Sequence, residues 1–511
     1  MIRAMRPPSF LLAALSLAWL VTLASAQTDQ HPLENLPYSG GVLAARAIVA
    51  GRLTPGVGVY DLTSPLALTC SPAPCVLPNV KASTSGANPV NEDPIVVNSK
   101  NPMQLLTGGN DYNCTASPSG VAAGFYASSN GGTTWNHTCL GFLTGKAGAG
   151  DPGVGYDTKN IAYVIGLEGI ISGVNLIPTD VVLEKSNNNG ATWTPVKSVV
   201  PPLFSGGSPD KPWLEVDINP NSPHINCLYI SLTQFDSSNG SEIAVSHSCD
   251  NGKTWKMVGI DPPQQVFPNI DQFSDLAIGK DGTVYASWMR CTATGPTSNC
   301  GGTTASMMFS KSTDGGNTWS APHLVAKAKL VPDATGCCFY GTLPNTGERV
   351  SNVPAIGVDN STGPHANNLY VVMYNWTGTQ MQVQVATSTT GGTTWHAPVH
   401  VAPKTATHDQ FFPWLSVSST GLVGVTWLDR RNDAANVSYE AFSALSSNGG
   451  VSFGVNHQIA TVASNPNNDG FGGSFMGDYT GNYWSGLTLY ASWMDSRGGA
   501  VMQDEVGGFL Q

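Results

Sequence analysis

The sequence predicts an all-β protein, a β-propeller built from four-stranded antiparallel blades. Three observations lead to this prediction. Charged residues make up only 11% of the 511-residue chain, which also contains 57 Gly and 35 Pro. This composition suits short strands and tight turns better than long surface helices. An octapeptide occurs six times along the chain, and a pair of apolar strands occurs seven times, in alternation with the octapeptide. Repetition on this scale is typical of solenoids and propellers.

The octapeptide follows the pattern Ser-x-Asp/Asn-x-Gly-x-Thr-Trp. Its copies are SSNGGTTW at 128–135, SNNNGATW at 186–193, SCDNGKTW at 248–255, STDGGNTW at 312–319, STTGGTTW at 388–395 and a degenerate SSNGGVSF at 446–453. The pattern predicts a hairpin turn, because Asp or Asn can accept hydrogen bonds from backbone N–H groups and Gly takes the positive φ. The Trp is expected to pack into the neighbouring layer.

The paired apolar strands predict the number of blades. Each pair begins near a Pro, Asp or Gly and turns at a Gly or Asn, and the copies start at Asp93, Asp151, Lys211, Asp275, Val353, Phe412 and Gly477. Each strand pair is the inner half of one blade. Seven strand pairs and six octapeptides therefore indicate seven blades, of which the last is incomplete. Residues 501–510 can supply its third strand and residues 76–83 its fourth, so that N-terminal strand exchange closes the ring and removes the exposed edges. A six-bladed ring is the alternative.

The first 26 residues are predicted to be a secretory signal peptide. Arg3 and Arg6 precede an apolar run at 10–23, which ends in the small residues of 24–26. Residues 27–75 then form an N-terminal extension, and residues 76–511 form a single propeller domain. The sequence thus predicts a secreted, periplasmic or extracellular protein, which we expect to be a monomer. With 23 basic and 34 acidic residues the chain has no basic field for nucleic acid. No segment after the signal peptide reaches the length of a membrane span.

The ten cysteines predict disulfides, because an even number in an exported chain favours them over a metal site. They fall into the neighbouring couples Cys70/Cys75, Cys114/Cys139, Cys227/Cys249, Cys291/Cys300 and Cys337/Cys338. The last couple either forms a vicinal disulfide or pairs with other partners. No cofactor is predicted. A structural Ca²⁺ in the turn 465–469 is conceivable, although that turn lacks EF-hand spacing.

Propeller geometry places candidate site residues on one face. Loops that enter the first strand of a blade, or leave its second, open on the face opposite the octapeptides. Beyond Arg46 and Arg52 the chain has only the arginines Arg290, Arg349, Arg430, Arg431 and Arg497, and all five map to these loops. Arginine suits the bidentate recognition of a carboxylate. A Trp-x-Asp-x-Arg strand end can equally form an ion pair that repeats with the blades, so both interpretations remain open.

The octapeptide resembles the Asp-box, or BNR repeat, of the sialidase superfamily. The stretch 91–98 looks like the opening of secreted bacterial BNR-repeat proteins that are labelled sialidase-like. The resemblance implies three arginines that hold the substrate carboxylate, a Tyr nucleophile assisted by Glu, and an Asp acid/base. By position, the arginines would be Arg290, Arg430 and Arg497, with Arg349 as a substitute, the nucleophile Tyr479, and the acid/base Asp93 or Asp151.

Two departures from that family stand in the sequence. Sialidases have six blades, and their early Arg-Ile-Pro-type motif has no counterpart, since residues 53–289 contain no arginine. The leading function is a secreted sialidase-like glycoside hydrolase that acts on sialosides or related acidic glycans with retention. The alternatives are a non-catalytic propeller that binds a glycan, glycoconjugate or protein on the same face, and a cell-surface scaffold with structural arginines.

Overall fold

A computed structural model describes residues 36–58, 67–201, 203, 207–236, 240–262, 265–295, 299–336 and 338–511. The predicted signal peptide lies outside these residues. In the described ranges the chain is all-β apart from one short helix and two 3₁₀ turns, at Pro466–Asn468 and Arg497–Gly499. No helix in these ranges has the length and apolar character needed to cross a bilayer.

The strands form seven antiparallel sheets arranged as blades, which confirms the seven-bladed prediction. Strands β1 (Cys75–Val76) and β2 (Val80–Lys81) precede blade 1, which contains β3 (Val90–Asn91), β4 (Ile95–Val97), β5 (Leu105–Asp111), β6 (Ala122–Ser128) and β7 (Asn136–Cys139). Blade 2 contains β8 (Ala147–Tyr156), β9 (Ala162–Ser172), β10 (Asn175–Ser186) and β11 (Lys197–Ser198). Blade 3 contains β12 (Ser208–Val216), β13 (Leu228–Phe235), β14 (Gly240–Ser248), β15 (Lys256–Gly259) and β16 (Gln265–Val266).

The remaining four blades follow in chain order. Blade 4 contains β17 (Asn269–Ile278), β18 (Val284–Thr292), β19 (Thr304–Ser312) and β20 (His323–Lys329). Blade 5 contains β21 (Ile356–Val358), β22 (Leu369–Trp376), β23 (Met381–Ser388) and β24 (Val399–His400). Blade 6 contains β25 (Gln410–Val417), β26 (Val423–Asp429), β27 (Glu440–Ser446) and β28 (His457–Gln458), and blade 7 contains β29 (Gly481–Ser485), β30 (Thr488–Asp495) and β31 (Gln503–Leu510).

The two ends of the propeller close the ring, as the sequence predicted. Strands β1 and β2 both pair antiparallel with β31, so that they form the outer strand of blade 7. Cys75 lies opposite Leu510, and Val80 lies opposite Val506. Closure satisfies the backbone groups that an open last blade would leave unpaired.

The octapeptides form the turns between the third and fourth strands of their blades. In the fourth copy, Asp314 accepts hydrogen bonds from the backbone N–H of Thr318 at 2.9 Å and from its hydroxyl at 2.7 Å. The Ser312 hydroxyl accepts from the N–H of Gly316 at 2.9 Å, and Gly316 has a φ of 89°. In the fifth copy the Thr390 hydroxyl accepts from the N–H of Thr394 in place of a carboxylate, at 2.9 Å.

Four disulfides join the predicted couples Cys70–Cys75, Cys114–Cys139, Cys227–Cys249 and Cys291–Cys300. Cys338 is also disulfide-bonded, while Cys337 lies outside the described residues, so the vicinal pairing stays a prediction. Four disulfides fit an extracellular protein.

A helix precedes the propeller and covers one end of its central channel. Helix α1 (Gly40–Val49) contains three Ala, and Gly51, whose φ is 65°, follows its C-cap residue Ala50. It packs on β8 and β10 near the entrances of the inner strands. We call this end of the channel the mouth. Toward the octapeptide face, the inner strands line a cavity of about 470 Å³.

Candidate functional site

Five charged residues meet at the mouth, and we call them the mouth cluster: Glu92, Asp151, Asp210, Lys211 and Asp478. They come from the entrances to the inner strands of blades 1, 2, 3 and 7, and all are fully buried. The Asp151 carboxylate accepts a hydrogen bond from the backbone N–H of Lys211 at 3.2 Å. The Glu92 carboxylate accepts one from the backbone N–H of Asp478 at 3.1 Å. The entering loops therefore converge, as their positions in the sequence predicted.

A recurring backbone bulge positions part of the cluster. Glu92, Asp151 and Lys211 have φ values of 67°, 53° and 49°, which are uncommon for residues other than glycine. Phe273 and Phe412 have φ values of 62° and 46° at the corresponding entrances of β17 and β25. The strand register shifts at this point in β8, β12, β17 and β25. A bulge re-aims the side chain that it carries, and the propeller repeats it around the channel.

Burial of so many carboxylates favours their protonated forms. Burial raises the pKa of Glu92 well above its usual range, and the charges of Asp151 and Asp478 raise it further. Burial and then the charge of Asp151 raise the pKa of Asp210 to about 8. Burial lowers the pKa of Lys211, against the opposing effect of the carboxylates around it. Burial therefore disfavours the charged forms of Glu92 and Asp210 in this cluster.

Arg349 supplies the main positive charge next to the cluster. Its guanidinium donates to both carboxylate oxygens of Asp478, at 2.7 Å and 3.0 Å. Both side chains are almost completely buried. Arg349 is thus already engaged in the bidentate geometry that an arginine would otherwise offer to a substrate carboxylate.

The segment of residues 36–49, which we call the N-terminal cap, fills the mouth. The backbone N–H of Ser39 donates to Asp210 at 2.7 Å, and the N–H of Gly40 donates to Asp478 at 2.7 Å. The Ser39 hydroxyl donates to Asp151 at 2.8 Å. Residues 27–75 were predicted to form an extension, and this contact was not predicted. The one available signal was the pair of glycines before an Ala-rich stretch.

Tyr479, the predicted nucleophile, lies beneath the cap and is buried. Its hydroxyl donates to the carbonyl oxygen of Pro152 at 3.2 Å. The Lys211 ammonium lies 3.8 Å from the centre of the Tyr479 ring, and Trp213 packs against the ring edge-on. Burial, followed by the charges of Glu92 and other nearby carboxylates, raises the pKa of Tyr479 well above its ordinary value.

The two carboxylates predicted as acid/base candidates have different surroundings. Asp151 belongs to the mouth cluster, as described above. Asp93 lies at the junction of blades 1 and 7, where burial and then the charge of Asp504 raise its pKa well above the usual range. Asp504 accepts a hydrogen bond from the Thr107 hydroxyl at 2.8 Å.

The other predicted substrate-binding arginines form ion pairs with separate carboxylates. Arg290 donates to Asp271 at 2.8 Å and also pairs with Asp261. Arg430 is fully buried, and it lies 3.5 Å from Asp409. Arg290 and Arg430 are thus each held by carboxylate partners of the protein.

Blades 6 and 7 share a local unit of Trp, Asp and Arg at the end of the second strand. In blade 7, Asp495 accepts from the Trp493 indole at 3.3 Å and from the Arg497 guanidinium at 2.7 Å and 2.9 Å. In blade 6, Asp429 accepts from the Trp427 indole at 2.7 Å and from Arg431 at 2.6 Å. Arg431 is therefore the counterpart of Arg497, whereas Arg430 has a different environment. The repeated ion pair considered in the sequence analysis is present in both blades.

Candidate metal ligands in the described residues are engaged in other bonds. The groups Cys114/His137/Cys139 and His224/Cys227/Cys249 each contain a disulfide, so their sulfurs are not thiolate ligands. Asp469, in the turn considered for Ca²⁺, accepts hydrogen bonds from the backbone N–H groups of Phe471, Gly473, Ser474 and Phe475. Asp469 thereby orders the loop that carries Phe475 against the N-terminal cap.

Solved structures with a similar fold include sialidases. A Hadza microbial sialidase is 15% identical with a TM-score of 0.42, over 66% of this chain and 63% of that one. The intramolecular trans-sialidase from Ruminococcus gnavus is 13% identical with a TM-score of 0.43, over 68% of this chain and 92% of that one. A protein of unknown function from Dyadobacter fermentans is 12% identical with a TM-score of 0.44, over 70% of this chain and 95% of that one.

No family model and no curated protein matches the chain. The strand pairing of the chain itself shows a seven-bladed β-propeller.

Proposed function

We propose that the chain is an extracellular, non-catalytic binding propeller whose arginines serve its structure. The observation that carries this proposal is the pairing of every candidate clamp arginine with a blade carboxylate. Arg349 with Asp478 is the decisive pair, because it lies at the mouth and is bidentate and buried. A substrate carboxylate would have to displace Asp478 and leave a buried charge without its partner.

The charge of the mouth also argues against an acidic substrate. The carboxyl groups of Asp151, Glu92, Asp275 and Asp478 all act on the charge of Lys211, and Arg349 is paired with Asp478. Hydroxyl and amide donors suit carboxylate acceptors. A sialoside carboxylate would find both cations at this position, Lys211 and Arg349, already accompanied by carboxyl groups of the protein.

The surroundings of Tyr479 oppose its use as a nucleophile. A tyrosine nucleophile requires a lowered pKa or an adjacent base that takes its proton. Burial and nearby carboxylates raise the pKa of Tyr479, and its hydroxyl donates to a carbonyl oxygen that cannot accept a proton at neutral pH. The sialidase-like hydrolase, with Tyr479 as nucleophile and Asp93 or Asp151 as acid/base, is the competing function and stays a prediction.

A hydrolysis assay separates the two functions. Full-length protein is incubated with a fluorogenic sialoside and with neutral and acidic aryl glycosides, beside a Tyr479→Phe variant of equal stability. We expect no turnover by either protein, and saturable binding of a partner to the mouth face. Turnover by the wild-type chain that Tyr479→Phe abolishes would overturn the non-catalytic function.

A further inference from the structure

The cavity on the octapeptide face is closed at its inner end by aromatic rings. Trp213 of blade 3 and Trp414 of blade 6 come from opposite sides of the ring of blades, and their ring centres lie 4.4 Å apart. The ring of Tyr479, which lies beneath the cap, packs against both. The two Trp side chains therefore meet across the central channel and separate the cavity from the mouth cluster. We call this pair the aromatic floor.

The outer end of the cavity opens to solvent. It is bordered by the turns that join the first and second strands of the blades, in which Pro102, Ser419 and Gly486 are exposed. Between these turns and the aromatic floor, the walls include aliphatic side chains of the inner strands, such as Val216 and Val417. The volume of about 470 Å³ lies in the range of pockets that bind small molecules. A small molecule can enter from this end without displacing the N-terminal cap.

Glu215 places a carboxylate between the aromatic floor and the opening. It lies on β12 two residues beyond Trp213, on the same face of the strand and about 7 Å nearer the opening. In the described part of the chain its carboxylate makes no hydrogen bond and no ion pair, and its side chain is partly exposed. Asp275 also lines the cavity, but it is buried and accepts a hydrogen bond from the backbone N–H of Ile356 at 2.7 Å. Glu215 is therefore the carboxylate that a ligand in the cavity can reach.

The cavity lacks a positive charge of its own. The described residues that line it include no Lys, Arg or His. Burial raises the pKa of Glu215 well above its usual range, and the charges of Asp275 and Asp217 raise it further. Lys211 offsets part of the corresponding effect on Asp275, whereas no cation of the described chain does so for Glu215. A cation beside Glu215 would favour its charged form, and an anion would add to the repulsion.

We propose that this cavity binds a small organic ammonium ion that carries an apolar body. The ammonium group donates hydrogen bonds to the Glu215 carboxylate, and such charge-assisted bonds are the strong ones. The apolar body lies along the aliphatic walls and against the aromatic floor, where Trp rings also favour a nearby positive charge. The site lies at the opposite end of the channel from the mouth, so this inference goes beyond the proposed function and does not depend on it.

Isothermal titration calorimetry on the full chain tests the chemistry of the ligand. Three probes share one apolar body and differ in charge: phenylbutylammonium, phenylbutanol and phenylbutyrate. We expect saturable binding of phenylbutylammonium at a single site, binding of phenylbutanol that is weaker by about tenfold or more, and no binding of phenylbutyrate. Equal affinities for the ammonium ion and the alcohol, or no binding of the ammonium ion to the wild type, would overturn the proposal.

Substitution of Glu215 by Gln tests the position of the site. Gln keeps the shape of the side chain but removes its charge, so binding of phenylbutylammonium should weaken by about tenfold or more. Glu242→Gln is the matched control, because Glu242 is a partly exposed residue of β14 in the same blade and does not line the cavity. The control should bind within about twofold of the wild type. Unchanged binding in Glu215→Gln, or an equal loss in Glu242→Gln, would contradict the assigned site.

Thermal melting provides a second readout. Phenylbutylammonium should raise the Tm of the wild type and of Glu242→Gln, but not that of Glu215→Gln. Without ligand, Glu215→Gln should melt no lower than the wild type, because the carboxylate has no partner to lose. If this variant fails to fold, the comparison of the three probes on the wild type decides alone. Glycoside turnover would overturn the proposed function and leave this site intact, whereas absent binding of phenylbutylammonium would overturn only this inference.

Discussion

Substitution of Arg349 by Gln tests whether the mouth arginine is structural. In the wild type its guanidinium makes two short hydrogen bonds to Asp478, at 2.7 Å and 3.0 Å, with both groups away from water. Gln keeps part of the side-chain volume but leaves the Asp478 charge buried without its cation. Breaking a buried ion pair in this way costs about 3–5 kcal/mol.

The size of the propeller converts this cost into a melting shift. Unfolding entropy of about 2.1 cal/mol/K per residue gives roughly 0.9 kcal/mol/K for residues 76–511. We therefore expect Arg349→Gln to lower Tm by about 3–5 °C in differential scanning calorimetry. Lys146→Gln is the control, because Lys146 and Asp180 form a partly exposed pair, for which we expect a loss of less than about 1 °C.

A double variant sharpens the interpretation. Arg349→Gln combined with Asp478→Asn removes both charges, so it should recover part of the stability that the single substitution loses. The reasoning would be refuted if Arg349→Gln melted within 1 °C of the wild type and abolished the binding of an acidic ligand. That result would mean that the guanidinium is available for substrate, as the sialidase resemblance implies.

Three further predictions concern the rest of the propeller. Burial raises the pKa of Asp504 to about 8, against about 3.9 in an unfolded chain. Between these two values the folded state retains a proton that the unfolded state has lost. The free energy of unfolding should therefore fall as the pH rises from about 4 to 8. Asp504→Asn should flatten this dependence in melts across that range, whereas the exposed control Asp281→Asn should leave it unchanged. Asp314→Ala should lower Tm by about 1 °C, because the hydrogen bonds of the turn are lost. Asp314→Thr should melt closer to the wild type, because Thr390 fills the same position in the fifth octapeptide. Equal losses of Tm in the two variants would contradict this account of the turn. Replacing Cys227 and Cys249 by Ser removes a crosslink across 22 residues and should cost about 3 kcal/mol; an unchanged urea midpoint would show that the crosslink does not restrict the unfolded chain.

The blade architecture could be predicted because each blade carries its own local signals. The octapeptide specifies a turn through hydrogen bonds within a few residues, as Asp314 shows. Counting inner strands then gave seven blades and showed that the last one lacked a strand. The predicted closing strand at 76–83 corresponds to the observed pairing of β1 and β2 with β31. Local motifs that repeat along a chain can therefore be recognised from a single sequence.

Radial position at the mouth face could not be predicted. The sequence predicts that both the entering and the leaving loops lie on that face, but it contains no signal for which of them reach the axis of the central channel. Asp210 and Asp478 reach it from entering loops, whereas Arg290 pairs with carboxylates of blades 3 and 4 and Arg497 with a carboxylate of its own blade. The difference depends on bulges and loop packing, which leave no periodic pattern in the sequence.

The cap was missed for a different reason. Its contacts join residue 39 to residues 151 and 210, and residue 40 to residue 478. Because these residues are far apart in the sequence, no local pattern predicts the contacts. The adjacent arginines Arg430 and Arg431 are a second example, because the sequence-based prediction chose Arg430 as the counterpart of Arg497. They differ by one position, yet only Arg431 is the counterpart of Arg497, because the Trp427 and Trp493 units align on it.

The pairing of β1 and β2 with β31 has a consequence for the order in which the chain can fold. The partners lie at opposite ends of the propeller sequence, so β31 is synthesised after all the other strands described above. Until β31 has been synthesised, blade 7 lacks its third strand, and β1 and β2 lack their partner strand. Contacts between such distant residues form slowly. Ring closure therefore has to wait for β31, and a chain interrupted before this strand would expose sheet edges that invite aggregation.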